Sequence, residues 1–171
     1  YRPEAGLKKK IDVAVDEIIS TQSSDGYIGN YTPDKRLEHW DIWGRKYCLL
    51  GLLAYYDLTG NKNSIKAAKG VADHLIKELA EKKVAIVQKG RHRGMAATSI
   101  LEPIVLLYSR TSEKKYLEFA EEIVKQWESP VGPGLIAKSN INVGSRFPMP
   151  SEEDWFGYKQ GQKAYEMMSC Y

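Results

Sequence analysis

Cysteine is nearly missing from this chain of 171 residues. Cys48 and Cys170 are the two it has, and two widely spaced cysteines do not make a disulfide framework. No apolar run approaches the roughly 20 residues that a membrane span needs. Excess charge is small, +3 at pH 7 with a pI near 8.7. Lys and Arg are spread along the chain apart from short runs such as Lys8-Lys9-Lys10 and Arg91-His92-Arg93. That spread reads as a solvated surface, with neither nucleic acid nor membrane as partner. No signal-peptide pattern opens the chain. It begins at Tyr1, so it reads as trimmed or cut from something longer, and its compartment is not legible. What is present suits one domain with a real core: 43% hydrophobic and 27% charged residues. Aromatic residues reach 11%, with eleven Tyr and four Trp. Carbohydrate sites use such side chains as flat platforms.

The chain repeats itself at an offset of 52 residues. Tyr56 matches Tyr108, Thr59 matches Thr111, Ile65 matches Leu117, Ala68 matches Ala120, Val71 matches Ile123 and Leu75 matches Trp127. A helix–turn–helix unit recurring at one spacing marks a helical array or toroid. Such a unit cannot bury its apolar face alone and needs neighbours.

The periodicity predicts helices over about 4–22, 37–58, 63–82, 96–110 and 114–128, with a last one beginning near Gln162 and still running at Tyr171. The first carries the stripe Leu7, Ile11, Ala14, Val15, Ile18 and Ile19. Asp25-Gly26-Tyr27-Ile28-Gly29 then demands a turn. The second is apolar on nearly every side, which predicts that protein surrounds it, with Cys48 a buried free thiol. Gly60 suits its left-handed stop. The third is amphipathic and outer, which places His74 on the surface. A basic connector follows, with an extended piece at 84–87. The fourth is again apolar nearly all round, with Pro103 kinking it or marking its first turn. The fifth is amphipathic. From Pro130 to about Gly161 the chain is loop-like, and its aromatic residues argue against disorder.

Buried helices thus alternate with amphipathic ones. The expected fold is all-α: an α/α toroid in which inner helices ring an axis and outer helices coat them. At this spacing six hairpins would take about 300 residues. Residues 1–171 therefore read as one domain, about half of an (α/α)6 barrel built from antiparallel hairpins and cut in its last helix. Its open edge would be covered by the remainder of the barrel or by a second chain.

Several stretches resemble one family. D-G-Y-I-G at 25–29 follows an amphipathic helix. W-D-I-W-G-R-K-Y-C-L-L-G-L-L-A-Y-Y-D-L-T-G spans 40–60, L-L-Y-S-R-T-S-E-K-K-Y-L spans 106–117, and Y-E-M-M-S-C-Y spans 165–171. Together, and in this order, they resemble the β-L-arabinofuranosidase-like glycoside hydrolases of family 127 and its relatives, the six-hairpin glycosidases. The ordered set is more specific than any single motif. The resemblance implies an (α/α)6 barrel followed by β-domains, and a retaining hydrolase acting on L-arabinofuranosides or similar plant-derived sugars. It also implies a cysteine thiolate nucleophile activated by zinc, which one Glu and three Cys hold. A periplasmic or secreted location follows from the resemblance alone.

The chain departs from that pattern. The family has Glu and Cys two apart, whereas Glu166 and Cys170 are four apart; that spacing still puts both on one helical face, where they could serve a metal. The adjacent cysteine pair is absent. Tyr47 stands where typical members carry a His, and Thr98 stands near the place of another.

The candidate chemistry follows. Glu166 and Cys170 are the metal or catalytic pair, or else an ordinary helical Glu beside a buried thiol. Glu102, a carboxylate on an apolar inner helix, is a second catalytic candidate or a structural hydrogen-bonding group. His39, Trp40, Asp41 and Arg45 crowd the start of the inner second helix, where substrate contact competes with capping and packing. Asp41 could pair with Arg45, because unpaired buried charge is costly. Tyr27, Trp155 and Tyr158 are further candidates for stacking on sugar. Two other readings stay open. Arg45 and Lys46 facing the cavity would favour uronic-acid sugars and a toroid hydrolase or lyase. A helical-repeat module without catalysis would present the same groove to a protein or glycan.

Overall fold

The repeat folds as two helical hairpins that share one turn. In the computed structural model, which describes residues 4–147 and 163–171, every regular element among those residues is helical. These are α1 (Ala5–Ser20), α2 (Asp41–Thr59), α3 (Lys62–Lys82), a 3-10 turn (Ile86–Gln88), α4 (Met95–Thr98), α5 (Leu101–Thr111), α6 (Lys114–Trp127), α7 (Val143–Arg146) and α8 (Ala164–Met168). The α2–α3 and α5–α6 hairpins lie side by side through α2 and α5, and α1 rests on α2 and α3. Trp155 and Tyr158 lie outside the described residues.

The shared turn shows why the repeat exists. Gly60 and Ser112 both close their helices in the left-handed region, at φ 70 and φ 56, and each donates its N–H to a tyrosine carbonyl, Tyr56 or Tyr108, at 2.7 Å. Thr59 and Thr111 each turn a hydroxyl back onto the preceding turn, to Tyr55 at 2.7 Å and Leu107 at 2.8 Å. Equivalent apolar positions are equally buried: Ala68 with Ala120, Val71 with Ile123, Leu75 with Trp127. Glycine enters the left-handed region without a Cβ penalty, and serine does not. Ser112→Gly is therefore expected to stabilise the protein by about 0.5–1 kcal/mol, read as a rise in the urea midpoint. A fall would refute the shared-turn account.

Several boundaries differ from expectation for local reasons. The second helix starts at Asp41, not near Leu37. Leu37 and His39 sit at φ 71 and φ 50, which no right-handed helix accommodates. The fourth helix divides into α4 and α5 around Ser99 and Ile100, and Pro103 falls in the first turn of α5, where its missing N–H has no helical partner to lose. The extended piece at 84–87 is replaced by the 3-10 turn. The stretch after Pro130 contains the short α7, and α8 ends at Met168 rather than running on to Tyr171.

Protein does not surround α2 among the described residues: Tyr47, Gly51, Ala54 and Leu58 on it are exposed. Cys48 is accordingly half-buried, not enclosed, although burial still pushes its thiol up. On α1, Leu7 and Ile18 of the predicted stripe are also exposed, and Val15 alone is fully covered. Val105 lies bare on α5. No helix among the described residues is long and apolar enough to cross a membrane.

Candidate active site

Two polar assemblies flank α2. The first is a buried clasp that ties the 22–41 loop to α2 and α3. It starts from a close backbone approach: Gly26, at φ 96, lies so near α3 that a Cβ there would stand 2.5 Å from the Gly70 carbonyl oxygen. Gln22 then donates to the Gly26 and Ala67 carbonyls at 2.8 and 2.9 Å. Held there, the loop covers part of α3. His74 is consequently buried, contrary to its expected surface place.

Arg45 is the centre of the clasp and is completely buried. Its guanidinium donates to Asp41 at 2.5 Å and Glu78 at 2.8 Å, and lies 3.1 Å from His74 Nδ1. Asp41 also accepts from the Tyr27 hydroxyl at 2.7 Å and the Leu37 N–H at 2.8 Å. Arg36 reaches both His74 Nε2, at 3.1 Å, and Asp25, at 2.9 Å, while lying over the Tyr27 ring. Tyr27, Asp41 and Arg45 thus meet each other, and the guanidinium of Arg45 is taken up by two carboxylates. The expected Asp41–Arg45 pair is present.

The clasp has a pH signature. Burial, reinforced by the Arg45 charge, holds His74 below its ordinary 6.5. The Ser23 hydroxyl and then Arg36 hold Asp25 well below the usual carboxylate range. Glu78 is pulled down because the bonds from Lys82 and Arg45 outweigh its burial. All three shifts are depressions, so the folded state binds fewer protons than the unfolded chain. The stability they add is present above the unfolded values and is lost as pH falls through the lowered ones. The urea midpoint is expected to drop from pH 7 to pH 5, mainly through His74, and to drop less in His74→Gln. Equal slopes in the two proteins would refute the assignment.

The second assembly is a cleft of about 750 Å³ between α2, α5 and α8, lined by Lys46, Tyr47, Glu102, Tyr165, Cys170 and neighbouring apolar side chains. Lys46 and Cys170 are buried in its wall, and the Lys46 ammonium lies 3.9 Å from Glu102 Oε2. The Tyr47 and Tyr165 hydroxyls bond each other. That bond, then burial and the Glu166 and Glu102 charges, pushes Tyr47 up to about 12. Glu166 is 1% exposed, and its Oε2 is buried with no hydrogen-bond partner among the described residues. Its other oxygen lies 3.5 Å from Lys163. A smaller compartment of about 370 Å³ adjoins, walled by Trp40, Trp43, Lys163, Tyr165 and Glu166.

Of the residues expected from sequence, the structure gathers Glu102, Glu166, Cys170 and Trp40 around these two compartments. Tyr27, Asp41 and Arg45 belong to the clasp, and His39 is exposed and bonded to Arg91 at 2.5 Å. Of the basic pair read as facing the cavity, only Lys46 lines it; Arg45 points its charge at Asp41 and Glu78. Tyr165 and Lys163 escaped the sequence reading because a short terminal helix shows too little periodicity to orient them. His74 and Glu78 escaped because the loop that covers them is distant in sequence.

The described donors near Glu166 and Cys170 fall short of the set that the resemblance implies for zinc. Glu166 has a free buried oxygen, but the Cys170 thiol donates to the Met95 carbonyl at 3.4 Å, and burial pushes it up to about 12. Among the described residues no three His, Cys, Asp or Glu side chains gather as a metal-holding group. Two donors do not complete the tetrahedral set that zinc takes.

Helical hairpins carrying a cleft of carboxylates and aromatic rings are the build of a helical glycosidase domain. Residues 1–143 match the family model described as beta-L-arabinofuranosidase, GH127 catalytic domain, and the chain belongs to that family. The resemblance read from the motifs is borne out, and with it an α/α barrel is implied. The chain is similar to the non-reducing end beta-L-arabinofuranosidase of Bifidobacterium longum subsp. longum, 26% identical over 137 residues, which cover 72% of this chain and 20% of that protein. It therefore spans about one fifth of that relative's length. No solved structure matches.

Proposed function

We propose that this chain forms part of the catalytic barrel of a glycoside hydrolase that cleaves L-arabinofuranosides in plant-type glycans, and that the cleft between α2, α5 and α8 is where the sugar binds. One observation carries the reading. A buried carboxylate oxygen without a partner is costly, and among the described residues Glu166, which borders the smaller compartment beside the cleft, holds one. A sugar hydroxyl would satisfy it, and the protonated carboxyl would donate to a glycosidic oxygen. In this reading Glu166 protonates the leaving oxygen and Glu102, from α5, supplies the second carboxylate. Tyr47 and Tyr165 border the ring, and Lys46 holds Glu102 in place.

The bare faces of α1, α2 and α5 support a toroid completed by the rest of the barrel or by a second chain. Zinc enters as a ligand to be titrated, since Glu166 and Cys170 would need further donors. The test uses the full-length protein on aryl β-L-arabinofuranosides, with and without added zinc. Turnover is expected; none on any sugar would overturn the enzyme reading and leave a glycan- or protein-binding module. A second reading has its own observation. The Lys46 ammonium is buried in the cleft, and its nearest carboxylate is as far as 3.9 Å. Preference for unsaturated or intact uronides over arabinofuranosides in the same screen would select the uronic-acid enzyme.

A further inference from the structure

Hydrogen bonds run from His74 in the clasp to the wall of the candidate site. Arg45 joins His74 to Asp41, and Asp41 accepts from the Tyr27 hydroxyl. That hydroxyl accepts from the Tyr31 N–H at 3.1 Å, and the Tyr31 hydroxyl accepts from the Trp40 N–H at 3.3 Å. Trp40 in turn walls the smaller compartment beside Glu166.

Both ring nitrogens of His74 face guanidiniums: Nδ1 lies 3.1 Å from Arg45 Nη1, and Nε2 lies 3.1 Å from Arg36 Nη1. A neutral imidazole has one nitrogen that accepts and one that donates. Arg36 Nη1 also has Asp25, at 2.9 Å, whereas Nη1 of the fully buried Arg45 is bonded to Nδ1. Nδ1 is therefore the acceptor, and Nε2 carries the proton, 3.3 Å from Asp25 Oδ2.

A second proton on this ring has no good place. On Nδ1 it would confront the Arg45 N–H. Turned to Glu78 Oε2, 3.7 Å away, it would compete for the oxygen that already accepts from Arg45 at 2.8 Å. The charges around the ring are already matched: Asp41 with Arg45 on α2, Asp25 with Arg36 on the loop, and Glu78 with Lys82 on α3 itself. Tyr27 contributes a ring 5.5 Å away. An imidazolium would add a fourth cation to three carboxylates. Once the loop lifts from α3, His74 meets water and regains its ordinary 6.5. Protons thus bind the lifted state more tightly. Below that value each pH unit multiplies the lifted fraction by up to about ten, until the clasped ring titrates too.

We propose that His74 is a pH-sensitive latch for the candidate site: its protonation lifts the 22–41 loop from α3 and so loosens the Trp40 wall beside Glu166. The site is taken from the glycosidase reading; the latch does not depend on it.

Amide hydrogen exchange in the full-length protein, corrected for the intrinsic effect of pH, reads the latch without substrate. The Tyr31 and Leu37 N–H groups bond inside the clasp and report on it. Between pH 7 and pH 5 the ordinary carboxylate values, 3.8 and 4.5, lie below the window, so Asp25 and Glu78 contribute little. Over that window, opening of residues 26–40 is expected to rise about tenfold or more, and at both pH values to exceed that of α5 and α6 by about tenfold or more. In His74→Gln, whose amide can accept from Arg45 and donate to Asp25, the rise should shrink to within about twofold. No rise in the wild type, the same rise in His74→Gln, or equal opening of the loop and α5–α6 overturns the latch. Should the variant not fold, the wild-type His74 ring titration by NMR decides. A value below 6.5 with loop-selective opening upholds the latch, and one at or above 6.5 overturns it. On an arabinofuranoside, the acid limb of kcat/KM is expected to move to lower pH in His74→Gln; a limb that stays in place overturns the link to the site. Absence of turnover overturns the glycosidase reading alone, and exchange then decides the latch.

Discussion

Glu166→Gln is expected to lower kcat on an arabinofuranoside by about 100- to 10,000-fold, the usual range for removing a positioned acid or base. The same substitution should leave folding nearly intact. Glutamine keeps the side chain's length and removes a charge that the fold encloses with one oxygen unpaired. What it forfeits is a 3.5 Å pairing with a partly exposed Lys163. The expected change in unfolding free energy is under about 1 kcal/mol, because the 3.5 Å pairing is long and the Lys163 ammonium left behind is open to water. This combination separates a catalytic carboxylate from a structural one. A structural Glu166 would show the reverse: a lower urea midpoint with activity retained.

Arg45→Met carries the largest expected loss of stability, about 3–5 kcal/mol, the range for breaking a buried ion pair from one side. Arg45 is held by Asp41 at 2.5 Å and Glu78 at 2.8 Å, and lies 4.6 Å from the Tyr27 ring. Without it the Asp41 charge stays enclosed, with the Tyr27 hydroxyl and the Leu37 N–H as its remaining partners. Arg45→Lys should recover less than half, because a single ammonium cannot reproduce a fork that spans two carboxylates. Adding Asp41→Asn to Arg45→Met should cost less than the sum of the two single changes, since the stranded charge is gone. Urea unfolding of the wild type and these four variants reads all of this. A loss under about 1 kcal/mol for Arg45→Met, or strict additivity in the double variant, would sink the clasp as a unit.

The two expectations divide along α2. Asp41, Arg45 and Trp40 all crowd the start of one helix. Four residues along a helix bring Asp41 under Arg45, and that part of the pairing was legible from spacing. Their direction was not. It depends on the 22–41 loop lying on α3, which Gly26 and Gly70 permit by close approach. The same packing turns His74 from an outer-face residue into a buried one. The spacing of four suggests Glu166 and Cys170 on one helical face, but α8 ends at Met168 and leaves Cys170 beyond it. That Cys170 lines a cleft with Lys46, Glu102 and Tyr47, more than 60 residues away in sequence, was not legible.

Local physics is written residue by residue: the hairpin period, the left-handed stops at Gly60 and Ser112, the matched apolar positions and the family motifs all follow from near neighbours along the chain, and these determined the helical fold and the family. Which charges bury one another, and which are left free beside a cleft, depends on surfaces brought together across long loops. Packing alone made Arg45 a structural centre and left one oxygen of Glu166 without a partner among the described residues.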